Sequence, residues 1–500
     1  MRNLRILRAR AGALLRALLA AATLALGGCA GMYFKDAGPP PAVAYDLASL
    51  PYFEYWTGIV FNGEKVGFSR FAIRKDPALP RHEIRSEASI ALRFLGLEKT
   101  ILLRSRDVVN PDLTLLEFDY WFRVDDSELQ VAGRRSGDEL VSRIATGGVT
   151  TEQRLPVAGK LYPSSVINLY PVLHGLEVGR EHRYLAYHGQ TQAVAEVTQR
   201  IVGYEKSDLF AGDAFKIETA MRGQRVTTWI AADGRPRFEL AMYGALISFL
   251  EDAGSAARYL ALSSLNKKES LVDYSLVRPD RAIGKPRSVA GLRIALAGAE
   301  RLPPSDAWQR CTREGAEIAC AMGRAAPAQP AEPPGDALRE RYLQSSVAVP
   351  LAHPEIRKLA DAVAPASAPA EARVAGILRW LDANVAKAPV DAFSALDVLK
   401  QRKAECQGHA YLYTALARAA GIPTRVVSGL VYSEQFQGFL FHSWAESILD
   451  ARWQAVDPIF GQARADATHL KLVEGEDLAD LMPLMEWVGK LKLRVLEVGY

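Results

Sequence analysis

The sequence predicts an α+β multidomain protein: a large antiparallel β-rich N-terminal domain, then a smaller mixed α+β domain. Three observations carry this. At 500 residues the chain is too long for one ordinary domain. From about residue 51 to about 241, period-2 runs alternate with turn signals and helical periodicity is scarce. From His353 onward, helical stripes appear and then give way to strand-like runs. An apolar fraction of 49% and a charged fraction of 24% suffice for sizeable cores.

The elements follow in order. Arg2, Arg5, Arg8, Arg10 and Arg16 precede or interrupt an apolar run from Ala11 to Leu26, the signature of a secretory signal over 1–28. The run is too short to span a bilayer comfortably, and Arg16 breaks it. Leu26-Gly27-Gly28-Cys29 resembles the lipobox of bacterial lipoproteins. That resemblance implies lipidation of Cys29 and, with Ala30 rather than aspartate after it, anchoring in an outer membrane. Residues 29–50, with Gly38-Pro39-Pro40-Pro41, read as an extended tether. Much of the net charge of +4 sits in the leader, and no basic stripe interleaves with aromatics, so a nucleic-acid partner is not expected.

The β-rich domain spans 51–287. Trp56–Phe61, Asn62-Gly63 and Val66–Ile73 make a hairpin signal. Strand-like runs follow at His82–Leu92, Lys99–Val108, Thr114–Val124, Leu129–Arg134 and Glu139–Ala145. After an irregular stretch at Leu161–Leu176 come His182–Tyr187, Val194–Val202, Phe215–Met221, Val226–Ala231 and Arg237–Ala241. The segment 288–339 holds Cys311 and Cys320, which a hairpin would bring together, and ends in the Pro-rich linker Ala325–Gly335. In an oxidising compartment that pair forms a local disulfide. With Cys29 lipidated, Cys406 is the one unpaired thiol of the mature chain.

The α+β domain spans 340–475, with a C-terminal extension over 476–500 in which Leu491–Val498 reads as a returning strand. Val374, Ile377, Leu378, Leu381 and Val385 share a helical face. A second helix is expected over Cys406–Ala420, stopped by Gly421 and Pro423. Strands are expected at Thr424–Tyr432, Phe439–Leu449 and Trp453–Val456.

Here the chemistry-bearing residues fall. Cys406 opens a helix, where unpaired N–H groups and the helix dipole favour a thiolate. The common fate of a lone cysteine is to pack as a small hydrophobe, but Lys403, Glu405 and Gln407 make this neighbourhood polar. His442 shares a strand face with Trp444 and Glu446. If Asp450-Ala451 turn the chain, Leu449 pairs with Arg452 and Asp457 arrives diagonal to His442; a one-residue slip would put it on the wrong face. Glu446 is the competing partner for the imidazole.

Cys406 on its helix, His442 in His-x-Trp-x-Glu and Asp457 in Trp-x-x-Val-Asp-Pro resemble the transglutaminase-like superfamily, whose core is related to papain-type cysteine proteases. Ala415–Gly429 resembles that family's passage from helix to strand. The resemblance implies a transglutaminase/papain-like C-terminal domain in which Cys406 attacks an amide or ester carbonyl, His442 carries the proton and Asp457 orients the imidazole. The Cys406 N–H is one oxyanion donor, and the upstream Gln401 is the candidate second. Ala404-Glu405 stands where bacterial members often have Gly-Asp.

No cofactor and no metal are expected. Cys406-x-x-His409 has metal-like spacing, and with His442 and Asp457 would make a zinc site, but no second cysteine pair accompanies it and a helix-interior histidine usually packs. The implied activity is that of a thiol-dependent acyltransferase or amide hydrolase in the cell envelope, facing the periplasm and acting on a protein, peptide or amine-bearing substrate. The alternative is a non-catalytic transglutaminase-like module whose β-rich domain binds an envelope lipid, glycan or protein.

Overall fold

A computed structural model describes residues 33–500 apart from 62, 95–96, 245, 256–274, 327–333, 477, 482 and 485–486. The signal expected over 1–28, Cys29 and most of the Pro-rich linker lie outside the described residues. Among the described residues no helix is long and apolar enough to cross a membrane.

The N-terminal half is one 16-stranded sheet. Its two sequence halves join where Leu246–Glu251 pairs with Glu54–Phe61, Leu246 opposite Phe61. From there the sheet runs antiparallel through Glu64–Lys75, His82–Phe94, Leu97–Val109 and Leu115–Val124 to Val149–Pro156 at one edge. In the other direction it runs back through Pro236–Ala241 and Ala193–Ser207 to Glu181–His188 and Leu161–Pro163. Besides the three-residue Leu161–Pro163, two of these strands were not expected, for physical reasons. Val149–Pro156 alternates half-buried and exposed positions with no buried residue, so it lacks the apolar period that marks a strand. Leu246–Glu251 is separated from Ala241 by a single tight turn through Met242–Gly244.

The sheet curls until distant strands touch. Phe118 and Tyr120 of Leu115–Val124 meet Tyr187 of Glu181–His188 with ring centroids 4.8 and 6.2 Å apart. The segment Ser164–His174 plugs the concave side, burying Val166, Leu169 and Val172 against Ile84, Ile201 and Ile230. The irregular stretch read around 161–176 is this plug from Ser164 on, while Leu161–Pro163 is a short strand parallel to Leu185–Tyr187.

A four-stranded sheet follows in the order Gln309–Glu314, Glu317–Gly323, Gly291–Ala297, Lys492–Gly499. Cys311 faces Cys320 across it, and their sulfurs are bonded. The C-terminal strand therefore completes a sheet begun some two hundred residues earlier. This unit shares a core with Leu430, Phe439 and Leu470, so it is packed onto the α+β domain rather than standing apart.

The last layer holds the helices Pro354–Val363, Ala370–Asn384, Ala395–Gln401 and Cys406–Ala419 against a second antiparallel sheet. That sheet is ordered Arg452–Val456, Gly438–Leu449, Thr424–Ser433, Leu470–Glu474. The Cys406 helix is central, with every residue from Gly408 to Arg418 buried. The Ala395–Gln401 helix was not expected; its start is fixed by a capping box between Ser394 and Asp397. The Leu470–Glu474 strand was not expected either.

Candidate functional site

The hairpin register decides the site. Asp450 and Ala451 both adopt positive φ, 47° and 58°, the conformation of a tight two-residue hairpin turn. Leu449 then pairs with Arg452 and Ala445 with Val456. Asp457, one residue beyond, reaches back to His442, whose Nε2 donates to Asp457 Oδ2 over 2.8 Å. After Asp457, Cys406 is the group that acts on His442 most strongly, and with Nε2 given to Asp457 the Nδ1 side of the ring is left for the thiol. Trp444 stacks along the imidazole at 6.2 Å and Phe460 lies against it at 5.4 Å. Glu446 is spent elsewhere, on Arg425 and Lys471.

Asp457 is fully buried and accepts four hydrogen bonds. Oδ1 takes the backbone N–H groups of Ile459 and Phe460 at 2.7 and 3.0 Å. Oδ2 takes His442 and, at 2.9 Å, Nε2 of His469. Burial opposes its charge, but the two imidazoles outweigh burial and hold the carboxyl far below the usual range. For His442, burial likewise opposes the charged form, yet Asp457 and then Cys406 push it up to about 9.

His469 was missed. It precedes the strand Leu470–Glu474, and nothing in its spacing to Cys406 or His442 marks it; only the pairing of that strand with Thr424–Ser433 brings it under Asp457. Gly429 makes the pairing possible. It faces His442 across the sheet, and a Cβ there would come within 2.0 Å of the Leu470 carbonyl oxygen. His442, Asp457 and His469 offer ligand atoms within 4.8 Å of one another, a spacing that suits a metal. The same atoms are engaged with each other in the hydrogen bonds just described. His409 is not in that group, and its Nδ1 rests on the Glu405 carbonyl of its own helix at 2.9 Å.

Gln401 is placed differently from its expected role. Its Nε2 donates to Ser127 Oγ at 3.1 Å, and Ser127 Oγ donates in turn to the Asp391 carbonyl at 2.8 Å. The side chain thus ties its helix to the N-terminal sheet, and the oxyanion role it was assigned has no geometric support. Cys406 N–H, at the first helical position, has no intrahelical acceptor by construction.

The N-terminal sheet grips the approach to Cys406. Lys99 Nζ lies 2.5 Å from Asp391 Oδ2, and Thr146 Oγ1 reaches Asp397 at 3.4 Å. Glu405, just before the cysteine, is pushed up to about 7, by burial first and then by the Asp391 charge, with Lys99 opposing. Between the two domains lies a cavity of about 750 Å³ walled by Ile101, Leu155, Val194, Phe393, Gln407 and Tyr411. Inside the curled sheet is a second, of about 310 Å³, with Asp107 and Glu239 in its wall.

The family match falls in the C-terminal half. Residues 357–458 match the model of the transglutaminase-like superfamily. Kyphoscoliosis peptidase of Mus musculus is 33% identical over 88 residues, 16% of this chain and 13% of that protein. Its Homo sapiens counterpart is 32% identical over 83 residues, 15% of this chain and 12% of that protein. The chain therefore spans only about an eighth of the length of these relatives. A solved structure of a candidate cysteine protease from Cytophaga hutchinsonii is 15% identical, covering 42% of this chain and 86% of its own, with a TM-score of 0.28. The C-terminal half of this chain thus carries a transglutaminase-like superfamily domain, matched over 357–458.

Proposed function

We propose that the chain is a cell-envelope lipoprotein whose transglutaminase-like domain is a cysteine acyltransferase or amide hydrolase. Cys406 attacks an acyl carbonyl and forms a thioester. His442 takes the thiol proton and returns it to the leaving group, and Asp457 fixes the ring so that the Nδ1 side faces the sulfur. The Cys406 N–H steadies the oxyanion. Water then releases the acid, or an amine takes the acyl group. The observation that carries the reading is the buried His442–Asp457 pair, with Cys406 at the start of a buried helix close enough to act on the same imidazole. A purely structural module would have no need to bury a carboxylate under an imidazole that also meets a thiol.

In this reading the leader exports the protein, lipid on Cys29 anchors it to the outer membrane facing the periplasm, and the substrate is a protein, peptide or amine-bearing envelope molecule. Iodoacetamide provides the test. Cys406 should be alkylated in the folded protein, and Cys406→Ala should remove both the label and any acyl adduct found by mass analysis. A reduced Cys406 that stays unlabelled while the protein is folded would overturn the catalytic reading. Incorporation of labelled fatty acid that survives Cys29→Ala would overturn the anchoring.

A further inference from the structure

We infer that His469 is a standing buried imidazolium, the resident counter-ion of Asp457, and that it sets how tightly His442 holds its proton. The inference rests on the catalytic reading of His442 but begins from hydrogen-bond chemistry alone. A neutral imidazole has one N–H and one lone pair. Nε2 of His469 lies 2.9 Å from Asp457 Oδ2, and Nδ1 lies 3.0 Å from the Asp466 carbonyl oxygen and 3.6 Å from its Oδ1. Both nitrogens face acceptors only, so a lone pair on either would point at an oxygen. The ring satisfies its surroundings only with both nitrogens protonated.

His442 differs in one respect. Its Nε2 also donates to Asp457, but its other neighbour is the Cys406 thiol, which can give or take a proton. His442 can therefore cycle its proton while His469 cannot without losing a contact. The groups facing the two rings are Asp457, Asp466 and Cys406. Behind Asp466 stands Arg287, with Nη1 3.0 Å from Asp466 Oδ2 and its guanidinium 4.1 Å above the Phe460 ring; Glu434 acts on Arg287 from further out. His409 senses Asp457 only weakly. The two carboxylates are thus balanced by His469 and Arg287 before His442 takes any proton. The His442 imidazolium is then matched by the Cys406 thiolate instead of by an undivided Asp457 charge. A less tightly held proton is one that His442 can return to the leaving group.

The test uses the full chain with nitrogen-15 in its histidine rings. In the wild type both His469 nitrogens should report protonation from about pH 6 to 8, where free histidine titrates. In His469→Gln, His442 should lose its proton at a pH higher by roughly one to two units, as expected when a charge about one ring away is removed. The alkaline limb of Cys406 alkylation by iodoacetamide should move with it. Asp466→Asn keeps the backbone acceptor but removes a charge, so His469 itself should titrate at lower pH. The inference is overturned by an unprotonated His469 nitrogen at neutral pH in the wild type, by one equivalent of zinc in the purified protein, or by an unmoved His442 titration in a folded His469→Gln. An inert Cys406 would sink the catalytic reading while leaving the His469 protonation measurement intact, so the two failures are distinguishable.

Discussion

Two aspartates, one in each half of the molecule, are equally buried and carry opposite consequences. Asp107 in the curled sheet is fully buried and accepts from the hydroxyls of Tyr120 and Ser165, at 2.5 and 2.6 Å. Burial pushes it up to about 7. Asp457 is just as buried but meets two imidazoles and two backbone N–H groups, and it stays ionised. Burial alone does not set a carboxyl's charge; the donors it is buried with do. The same contrast runs through the two halves. The α+β domain buries charges in linked sets: Arg418 with Glu476, Arg425 with Glu446, and Lys471 with Glu446 and Asp306. The Lys471–Asp306 pair also locks the disulfide-bearing sheet to that domain.

The comparison can be broken most directly at Asp457. Asp457→Asn strands two imidazoles without their counter-charge, and the expected cost is about 3–5 kcal/mol together with loss of Cys406 reactivity. The midpoint of urea unfolding and the iodoacetamide rate would measure both. A loss no larger than that of Asp107→Asn would end the distinction between the two sites. Gly429→Ala forces the Leu470 strand away from His442, with an expected cost of about 1–3 kcal/mol and a slower alkylation of Cys406, read by the same two measurements.

The pH dependence sharpens it further. His442 and His469 are raised to about 9, so the stability they contribute is whole below the unfolded histidine value of 6.5 and is lost as pH rises through about 9. Asp107 is raised from 3.8 to about 7; its folded form holds a proton that the unfolded form has released, so stability declines as pH rises between those values. Thermal midpoints against pH should therefore fall in two stages. Asp107→Asn should flatten the lower stage and His469→Gln the upper, and crossed effects would contradict the assignment. Because the amide does not titrate, Asp107→Asn should gain stability relative to the wild type on going from about pH 4 to neutral pH, read as the difference between the two thermal midpoints at each pH. Lys99→Met lies between the domains and is expected to cost on the order of 1 kcal/mol, with a measurable change in Cys406 alkylation because Glu405 loses its cation.

The strands of the N-terminal half were legible wherever one face alternates apolar and polar, as in Leu115–Val124, and illegible where both faces are wet, as in Val149–Pro156. The helix opened by Cys406 was legible from its stripe and its Gly421 and Pro423 stop. Ala395–Gln401 was not, because at seven residues it is too short for periodicity to declare itself. The lipid site lies outside the described residues. The stretch read as an extended tether is instead docked: Phe34–Asp36 pairs with Ala193–Ser207, and Leu47 and Leu50 are buried in the core of the sheet. Its apolar residues find partners that an extended Pro-rich pattern does not announce. Gln401 shows the limit of reading a role from position alone: its distance from Cys406 along the chain suited an oxyanion donor, while packing against Ser127 turned its amide to the other domain.

By itself the sequence determined the fold class, the order of its parts, and the approach of Asp457 to His442, because strand register follows from local turn geometry and a period of two. Only the tertiary structure decided what surrounds that pair. His469 arrives just ahead of a strand added across the sheet, the closing strand Lys492–Gly499 returns to Gly291–Ala297, and Lys99 arrives from the other domain. Such contacts depend on which non-local strands pair and which faces pack, and no local pattern in a chain encodes them separately from the fold.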